Sequence, residues 1–181
     1  VLGDHAVILQ AHAAHAGQVN AGLHGDNRAD RDGVLAAVEV GQLVDVDTDA
    51  VAQASRVANP GCYATGIQLG IGPALPLLGS PPTVFGVSGY SGAGTTPSPR
   101  NDVEALRDNL MPYALTGHLH EREVSRHAAP VCLIPHVAPF FRGITVTVSM
   151  TFERPVSKDE LETRYAEAYA GEPLVKIVPE I

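Results

Sequence analysis

The strictest pattern in the sequence is a two-residue alternation between residues 144 and 152. Apolar residues alternate with Thr or Ser along this run, from Ile144 and Thr145 to Thr151 and Phe152. Because successive side chains of a strand point to opposite faces, this run predicts a long strand with one buried face and one polar face. Strands of that kind are typical of antiparallel sheets that are covered on one side only. Other segments of the chain must therefore cover the apolar face.

Short apolar runs predict further strands over residues 83–88, 131–134 and 174–178. Helices are predicted from Cys62 onward, over residues 101–110 and over residues 161–170. The signals are Ile67, Ile71 and Leu75 at a spacing of four, Asn101 with Glu104, Ser157 with Glu160, and Gly171 as a stop. Mixed strands and helices of this kind predict an α+β fold whose helices cover one face of a sheet.

Composition limits the possible classes of protein. With 181 residues, of which 45% are hydrophobic, the chain is long enough for one domain with a core. A net charge of -8 argues against a general nucleic-acid binder. We see no apolar run long enough to span a membrane and no signal peptide. Two cysteines do not form a disulfide framework, so they fit a reducing compartment.

Residues 1–50 differ from the rest of the chain. They hold eight acidic and two basic residues, and they lack Lys, Pro, Ser and aromatic residues. No periodicity is sustained, so this segment is left unassigned, although Val7-Ile8-Leu9 could form a strand or part of a helix. His12 and His15 have a spacing that can bind metal on one helix face. Because no acid or cysteine lies nearby, solvated histidines are favoured and no metal site is predicted.

Cys62 directly follows Asn59-Pro60-Gly61, which reads as a turn, and begins the first predicted helix. Unpaired N–H groups and the helix dipole at such a position lower the pKa of a thiol and favour the thiolate. The alternative is a small buried cysteine without reactivity. The local sequence alone does not decide between them.

Residues 117–123 contain His118, His120 and Glu121. If this stretch is extended, both imidazoles point to one face, where one could meet Cys62 while a carboxylate orients it. The alternative is a polar loop that leads into a helix near Glu121.

The Gly-rich loop from Ser88 to Gly94 could bring backbone N–H groups close to an anion, or it could be only a tight turn. Arg142 could hold a carboxylate or phosphate with two hydrogen bonds, or it could lie free at a surface turn. His136 is more typical of a structural histidine than of a catalyst.

The order of these motifs resembles the N-acetyl-gamma-glutamyl-phosphate reductases of the semialdehyde dehydrogenase family. The resemblance covers about residues 51–181, whereas residues 1–50 are not matched. It rests on the motifs NPGCYAT at 59–65, GVSGYSGAG at 86–94, GHLHERE at 117–123 and PHVAPFFRGI at 135–144.

The resemblance implies a glyceraldehyde-3-phosphate-dehydrogenase-like catalytic domain with a mixed, mostly antiparallel sheet. It implies NADPH-dependent reduction of an acyl phosphate through a thioester on Cys62, with His118 as the acid and base. Supporting or substrate-binding roles fall to Asn59, His120, Glu121 and Arg142, and cofactor contacts to Ser88, Gly89, Ser91 and Gly92.

The resemblance also implies NADP as cofactor, a small-molecule acyl phosphate substrate and a homo-oligomer. The cytoplasm of a bacterium is the implied location, or the mitochondrion in a fungus. Residues 1–50 show no Rossmann fingerprint, so the cofactor domain is expected to be missing or incomplete, and residues 51–181 to be a catalytic domain truncated at its C-terminus. An inactive fragment, a non-catalytic α+β domain and another cysteine-dependent acyl-transfer enzyme are the alternatives.

Overall fold

The computed structural model describes residues 5–11, 36–37, 53, 55, 57–58 and 60–178. Its strands are β1 (His5–Ala11), β2 (Ala36–Ala37), β3 (Val57–Ala58), β4 (Thr83–Gly89), β5 (Met111–Pro112), β6 (Cys132–Ala138) and β7 (Ile144–Met150). Its helices are α1 (Cys62–Ile71), α2 (Val103–Leu106), α3 (Leu119–His127) and α4 (Lys158–Ala168), with 3-10 turns at Gly72–Leu77 and Tyr90–Ala93. No helix within these ranges has the length and apolar character needed to cross a membrane.

Five strands form one mixed sheet in the order β1-β7-β4-β6-β5. β4 and β6 run parallel, whereas the other three pairings are antiparallel. In the centre of the sheet, Val84 lies opposite Val148 on one neighbouring strand and Leu133 on the other. The predicted α+β fold with a mixed, mostly antiparallel sheet is confirmed. β1 includes Val7-Ile8-Leu9, and β2 and β3 form a separate parallel pair.

One face of the main sheet is covered by helices and the other is open. The fully buried side chains of the covered face are Val84, Leu133, Val146, Val148 and Met150, and α1 adds Tyr63, Ile67 and Ile71. α1 lies directly against β7. On the opposite face Phe85 is 40% exposed, and Cys132 is exposed as well. The alternation at 144–152 thus predicted both the strand and its one-sided burial.

Tyr63 connects α1 to the centre of the sheet. A Cβ at Gly86 of β4 would lie only 2.5 Å from Cε1 of Tyr63, so the ring lies where only glycine leaves room. The Tyr63 hydroxyl donates a hydrogen bond of 2.8 Å to the carbonyl oxygen of His136 in β6. These two contacts fix the start of α1, and with it the neighbouring Cys62, relative to the sheet.

The prediction of a helix over residues 101–110 is largely wrong, because α2 has only four residues. Asp102, not Asn101, is its N-cap and accepts two backbone N–H groups of the first turn. The Asn101 side chain instead donates to the carbonyl oxygens of Gly94 and Thr96, each at 2.8 Å. Asn101 therefore stabilises the loop before α2, and the chain leaves the helical conformation at Arg107.

The C-terminal predictions are partly confirmed. Ser157 accepts the N–H of Glu160 at 3.1 Å and starts α4, but the Glu160 carboxylate pairs with Arg154 rather than closing the capping box. Gly171 has φ +86°, in agreement with its predicted role as a helix stop. The predicted strand at 174–178 is wrong, because this segment packs alternate side chains on the core without pairing with a strand.

Candidate active site

Cys62 is the first residue of α1, and the residue as a whole is exposed. Gly61 is the N-cap in an extended conformation, with no side chain capping the helix. The Gly61 carbonyl oxygen accepts hydrogen bonds from the backbone N–H of Thr65 at 2.9 Å and from its hydroxyl at 3.1 Å. The position of Cys62 at a helix N-terminus is therefore confirmed, and the N–H groups beside it are free of a capping side chain.

The pKa of the Cys62 thiol is raised, which is opposite to the prediction. Burial among the surrounding residues is the largest cause, and the negative charge of Glu123 adds to it. Backbone N–H groups at the start of α1 do lower the pKa, as a helix N-terminus should, but by less than burial raises it. The sulfur is reachable from solvent yet mostly surrounded by protein. Cys62 therefore rests as a neutral thiol and needs a base to become a nucleophile.

Glu123 of α3 holds the residue that precedes Cys62. Its Oε1 and Oε2 accept the backbone N–H of Gly61 at 3.0 and 3.2 Å. A hydrogen bond to a carboxylate is stronger than one between neutral groups. Glu123 thus fixes the turn before α1 and ties α1 to α3. Glu123 was not among the candidate residues that the sequence suggested, although it lies three residues after His120 in the same motif.

His118 is the N-cap of α3 rather than part of an extended segment. Its Nδ1 accepts the backbone N–H of His120 at 3.1 Å. A ring nitrogen that accepts a hydrogen bond carries no proton, so neutral His118 carries its proton on Nε2. Burial lowers the pKa of His118, and the neighbouring His120 lowers it further. His118 therefore offers an Nε2–H donor to the site at neutral pH.

His120 lies directly over Gly61. A Cβ at Gly61 would lie 2.2 Å from the His120 Nε2, so only glycine allows this approach. Within the described part of the chain, Nδ1 of His120 is buried and has no hydrogen-bond partner. Burial lowers the pKa of this imidazole. A neutral base therefore lies beside the residue joined to Cys62.

Two tyrosine rings enclose the imidazoles. The Tyr63 ring centroid lies 6.2 Å from that of His118 and 6.1 Å from that of His120, and Tyr113 lies 5.5 Å from His118. Burial raises the pKa of Tyr113 to about 12 and raises the pKa of Tyr63 as well, so both stay protonated. The rings limit the access of water to the two histidines. Nothing in the sequence around Tyr113 indicated this position.

Glu121 joins α3 to the sheet. Its Oε2 accepts the backbone N–H of Leu133 in β6 at 2.9 Å. Its charge also raises the pKa of His118, against the larger effects of burial and His120. Glu121 thus positions α3 through its hydrogen bond to β6, and its negative charge acts on the pKa of His118.

The Gly-rich loop packs on the turn between β6 and β7. The backbone N–H groups of Gly89, Tyr90 and Ser91 donate to the carbonyl oxygens of Gly143, Phe140 and Phe141, at 2.9 to 3.0 Å. A Cβ at Gly89 would lie 2.6 Å from the backbone nitrogen of Arg142. These three N–H groups are therefore engaged within the protein, whereas Gly92 and Gly94 are exposed and open to a ligand.

The remaining predicted residues occupy different places. Ser88 is buried, with 4% of its surface exposed, and its hydroxyl bonds to Tyr63. The Arg142 guanidinium lies over the Phe141 ring, 5.9 Å from the ring centroid. Asn59 lies outside the described residues. The structure thus brings His118 and His120 together beside the start of α1 and leaves Arg142 on the turn.

No group of three or more His, Cys, Asp or Glu residues within the described ranges has the arrangement needed to hold a metal ion.

Comparison with known proteins identifies the family. Residues 62–181 match the model of the semialdehyde dehydrogenase dimerisation domain. The chain is 58% identical over 126 residues to the N-acetyl-gamma-glutamyl-phosphate reductase of Xanthomonas axonopodis pv. citri (strain 306), covering 69% of this chain and 40% of that protein. The reductase of that name from Stenotrophomonas maltophilia (strain R551-3) gives the same figures. The one from Xylella fastidiosa (strain M23) is 58% identical over 124 residues, which is 68% of this chain and 38% of that protein. The chain thus spans about two fifths of the length of these relatives.

Proposed function

The chain belongs to the semialdehyde dehydrogenase family, and on that premise we propose that it carries the catalytic cysteine and histidines of an N-acetyl-gamma-glutamyl-phosphate reductase. The reaction would reduce N-acetyl-glutamyl-5-phosphate to N-acetyl-glutamate-5-semialdehyde and release phosphate. The observation that carries the proposal is the neutral imidazole of His120 against Gly61, one residue before Cys62 at the start of α1. The identity of 58% to proteins of that name supports the choice of substrate.

Cys62 is the nucleophile of the proposed reaction. Its thiol gives its proton to a neutral imidazole, and the sulfur attacks the acyl carbon of the substrate. The bond from that carbon to the phosphate oxygen breaks, so that a thioester and inorganic phosphate result. The N–H groups at the start of α1, which no side chain caps, can then stabilise the oxyanion that forms on the acyl oxygen.

The family resemblance makes His118 the acid and base, with His120 in support, and in the proposed reaction the two share the proton transfers. His120 lies nearer to the turn before Cys62, so it is the first acceptor of the thiol proton, and the imidazolium that forms returns this proton to a substrate oxygen. Because the His118 Nδ1 accepts a backbone N–H, neutral His118 donates a hydrogen bond from its Nε2–H to that oxygen. The lowered pKa of both histidines keeps them neutral at physiological pH, so His120 is able to accept a proton.

NADPH, when bound, supplies the hydride that converts the thioester to the aldehyde. Of the loop residues that the family resemblance assigns to the cofactor, Gly92 is exposed and Ser91 is half-exposed. These two residues can face a nicotinamide at the tip of the loop. Ser88 and Gly89 hold the start of the loop in place. Ser88 bonds to the Tyr63 hydroxyl, and Gly89 bonds to the turn between β6 and β7. The bacterial relatives support a cytoplasmic location for this biosynthetic reaction.

The thioester step can be tested on this chain without a cofactor. Acetyl phosphate should acetylate Cys62, detected as an acetylated peptide by mass spectrometry, and hydroxylamine should remove the label. Cys132, which is exposed on the open face of the sheet, is the internal control and should remain unlabelled. His118→Ala should slow the labelling of Cys62. Equal labelling of the two cysteines, or none, would reject the proposed function.

We also propose that the chain forms a homo-oligomer through the open face of the sheet. The matched family is described as a dimerisation domain, and this face exposes 40% of Phe85, whose ring lies 4.6 Å from that of His136. Phe85→Asp should lower the mass measured by size-exclusion chromatography with light scattering. Phe141→Asp is the matched control, because Phe141 is 58% exposed but lies on the turn between β6 and β7. An unchanged mass in Phe85→Asp would argue against this face.

A further inference from the structure

Arg100 is the positive charge that faces the histidine cluster. Its Cζ lies 5.1 Å from the centroid of the Tyr113 ring, and that ring lies 5.5 Å from the His118 ring. The Arg100 charge is also among the causes that lower the pKa of both Tyr113 and His118. Neither Arg100 nor Arg142 is among the charges acting on Cys62 or His120, and of the two only Arg100 acts on His118. Arg100, before α2, is therefore the cation whose field reaches the His118 side of the site.

Arg100 has no carboxylate partner among the described residues, in contrast to Arg107, Arg154 and Arg164. Arg107 pairs with Glu104 at 2.6 Å, and Arg154 pairs with Glu160 at 2.5 Å. The Arg100 side chain is exposed, and its ring contact leaves the N–H groups of the guanidinium free to bind a ligand. Such a group is suited to holding the two oxygens of a phosphate or a carboxylate.

The backbone that carries Arg100 is held in place by its neighbour. Asn101 donates to the carbonyl oxygens of Gly94 and Thr96, and its side-chain oxygen accepts the N–H of Ser98 at 2.8 Å. The loop is therefore organised before any ligand arrives. A cation held in this way loses less conformational freedom on binding an anion than one on an unsupported loop does.

We propose that Arg100 is the anion-recognition residue of the Cys62 site, binding an oxyanion group of the acyl substrate with its guanidinium. This inference rests on the proposed function, because an acyl phosphate bearing a carboxylate offers two such groups. The phosphate and the carboxylate share the chemistry that a guanidinium recognises, and the two are distinguished by the test below. Arg142, which the sequence suggested for this role, is the rival residue.

Alkylation of Cys62 by a charged and a neutral reagent tests the proposal on the full chain. Iodoacetate carries a carboxylate and iodoacetamide does not, so the ratio of their rate constants at Cys62 reports a nearby cation. At a pH of about 8.5 both histidines are neutral, because their pKa values lie below about 6.5. Arg100→Gln should lower the ratio, by up to about fivefold if the guanidinium comes within about 4 Å of the carboxylate of the reagent in water. The iodoacetamide rate itself should stay unchanged and shows that the site is intact.

Three variants serve as controls: Arg100→Lys, Arg107→Gln and Arg142→Gln. Arg100→Lys keeps the charge and should keep most of the ratio, whereas Arg107→Gln removes an exposed charge that does not act on His118 and should leave the ratio unchanged. The ratio in the unmodified chain should also fall as ionic strength rises. An unchanged ratio in Arg100→Gln, or a drop in Arg142→Gln instead, overturns the assignment.

Protection experiments identify the group that Arg100 binds. Inorganic phosphate should slow the iodoacetate reaction if the residue holds the phosphate, and glutarate should slow it if the residue holds a carboxylate. Either protection should vanish in Arg100→Gln, and protection that persists in that variant counts against the proposal. These outcomes can be distinguished from failure of the proposed function. If the proposed function is wrong, acetyl phosphate does not acetylate Cys62 in any variant, whatever the ratio of the alkylation rates.

Discussion

Glu123 accepts the backbone N–H of Gly61 with both carboxylate oxygens, across 62 residues of sequence. The bond places a negative charge near Cys62, where it adds to the larger effect of burial in raising the pKa of the thiol. Glu123 therefore positions the turn before α1 and also contributes to keeping Cys62 protonated. These two effects can be separated by substitution.

Glu123→Gln keeps an oxygen that can accept the Gly61 N–H but removes the charge. Since that charge is one cause of the raised pKa, we expect the pKa of Cys62 to fall and alkylation by iodoacetamide to begin at lower pH. The rate is followed against pH by the mass of the Cys62 peptide, with Cys132 as internal control. A midpoint that stays in place would show that the charge has no effect on the thiol.

Glu123→Ala removes the acceptor as well as the charge. The partly buried N–H of Gly61 then has no partner from α3, and we expect a loss of about 1–3 kcal/mol in unfolding free energy relative to Glu123→Gln. Urea unfolding of the two variants measures the difference. Equal stabilities would mean that water replaces the carboxylate without cost.

Gly61→Ala should displace the imidazole of His120, because the added methyl group would lie 2.2 Å from Nε2. A displacement of about 1 Å can reduce a reaction rate on the order of a hundredfold, so acetylation of Cys62 by acetyl phosphate should fall by about that factor. The matched control is Gly66→Ala in the same helix, whose Cβ would meet only Val146, at 3.7 Å. That control should raise stability by up to about 1 kcal/mol and leave acetylation unchanged.

The variants His118→Asn and His118→Ala distinguish the role of His118 as a helix cap from its proposed role in the reaction. Asn can accept the N–H at the start of α3 as His118 does, whereas Ala cannot, so the Asn variant should be about 1 kcal/mol more stable. Both variants lack the imidazole, and we expect both to acetylate Cys62 roughly a hundredfold more slowly. Full acetylation in the Asn variant would show that His118 is only a cap.

Stability should decrease as the pH falls below about 6.5, the pKa of an unfolded histidine. The folded pKa values of His118 and His120 lie lower, so the unfolded chain binds more protons in this range. The stabilisation is complete above the unfolded pKa and is lost as the pH falls through the folded values. Urea midpoints should therefore decline less steeply with acid in His120→Gln. Identical slopes would contradict the lowered pKa of His120.

The sequence alone predicted the features that depend on neighbours along the chain. The alternation at 144–152 predicted β7 and its single buried face, because strand periodicity is local. The turn at Pro60-Gly61 and the spacing of Ile67 and Ile71 predicted that Cys62 begins a helix. The order of the motifs was enough to indicate the family, which the comparisons confirm. The helix at 101–110 failed because the chain leaves the helical conformation at Arg107, and the cap is Asp102 rather than Asn101; the capping residues do not determine where the helix ends.

Only the tertiary structure decided the state of Cys62 and the partners around it. A helix N-terminus lowers the pKa of a thiol, but burial and the charge of Glu123 come from elements brought to it by folding, and their combined effect is larger. The closeness of His120 to Gly61, and of Arg100 to Tyr113, likewise depends on how α3 and the loop before α2 pack on α1 and the sheet. Hydrogen bonds, charges and burial act over a few ångströms of space, so a sequence can name the reacting groups while the fold determines which of them meet.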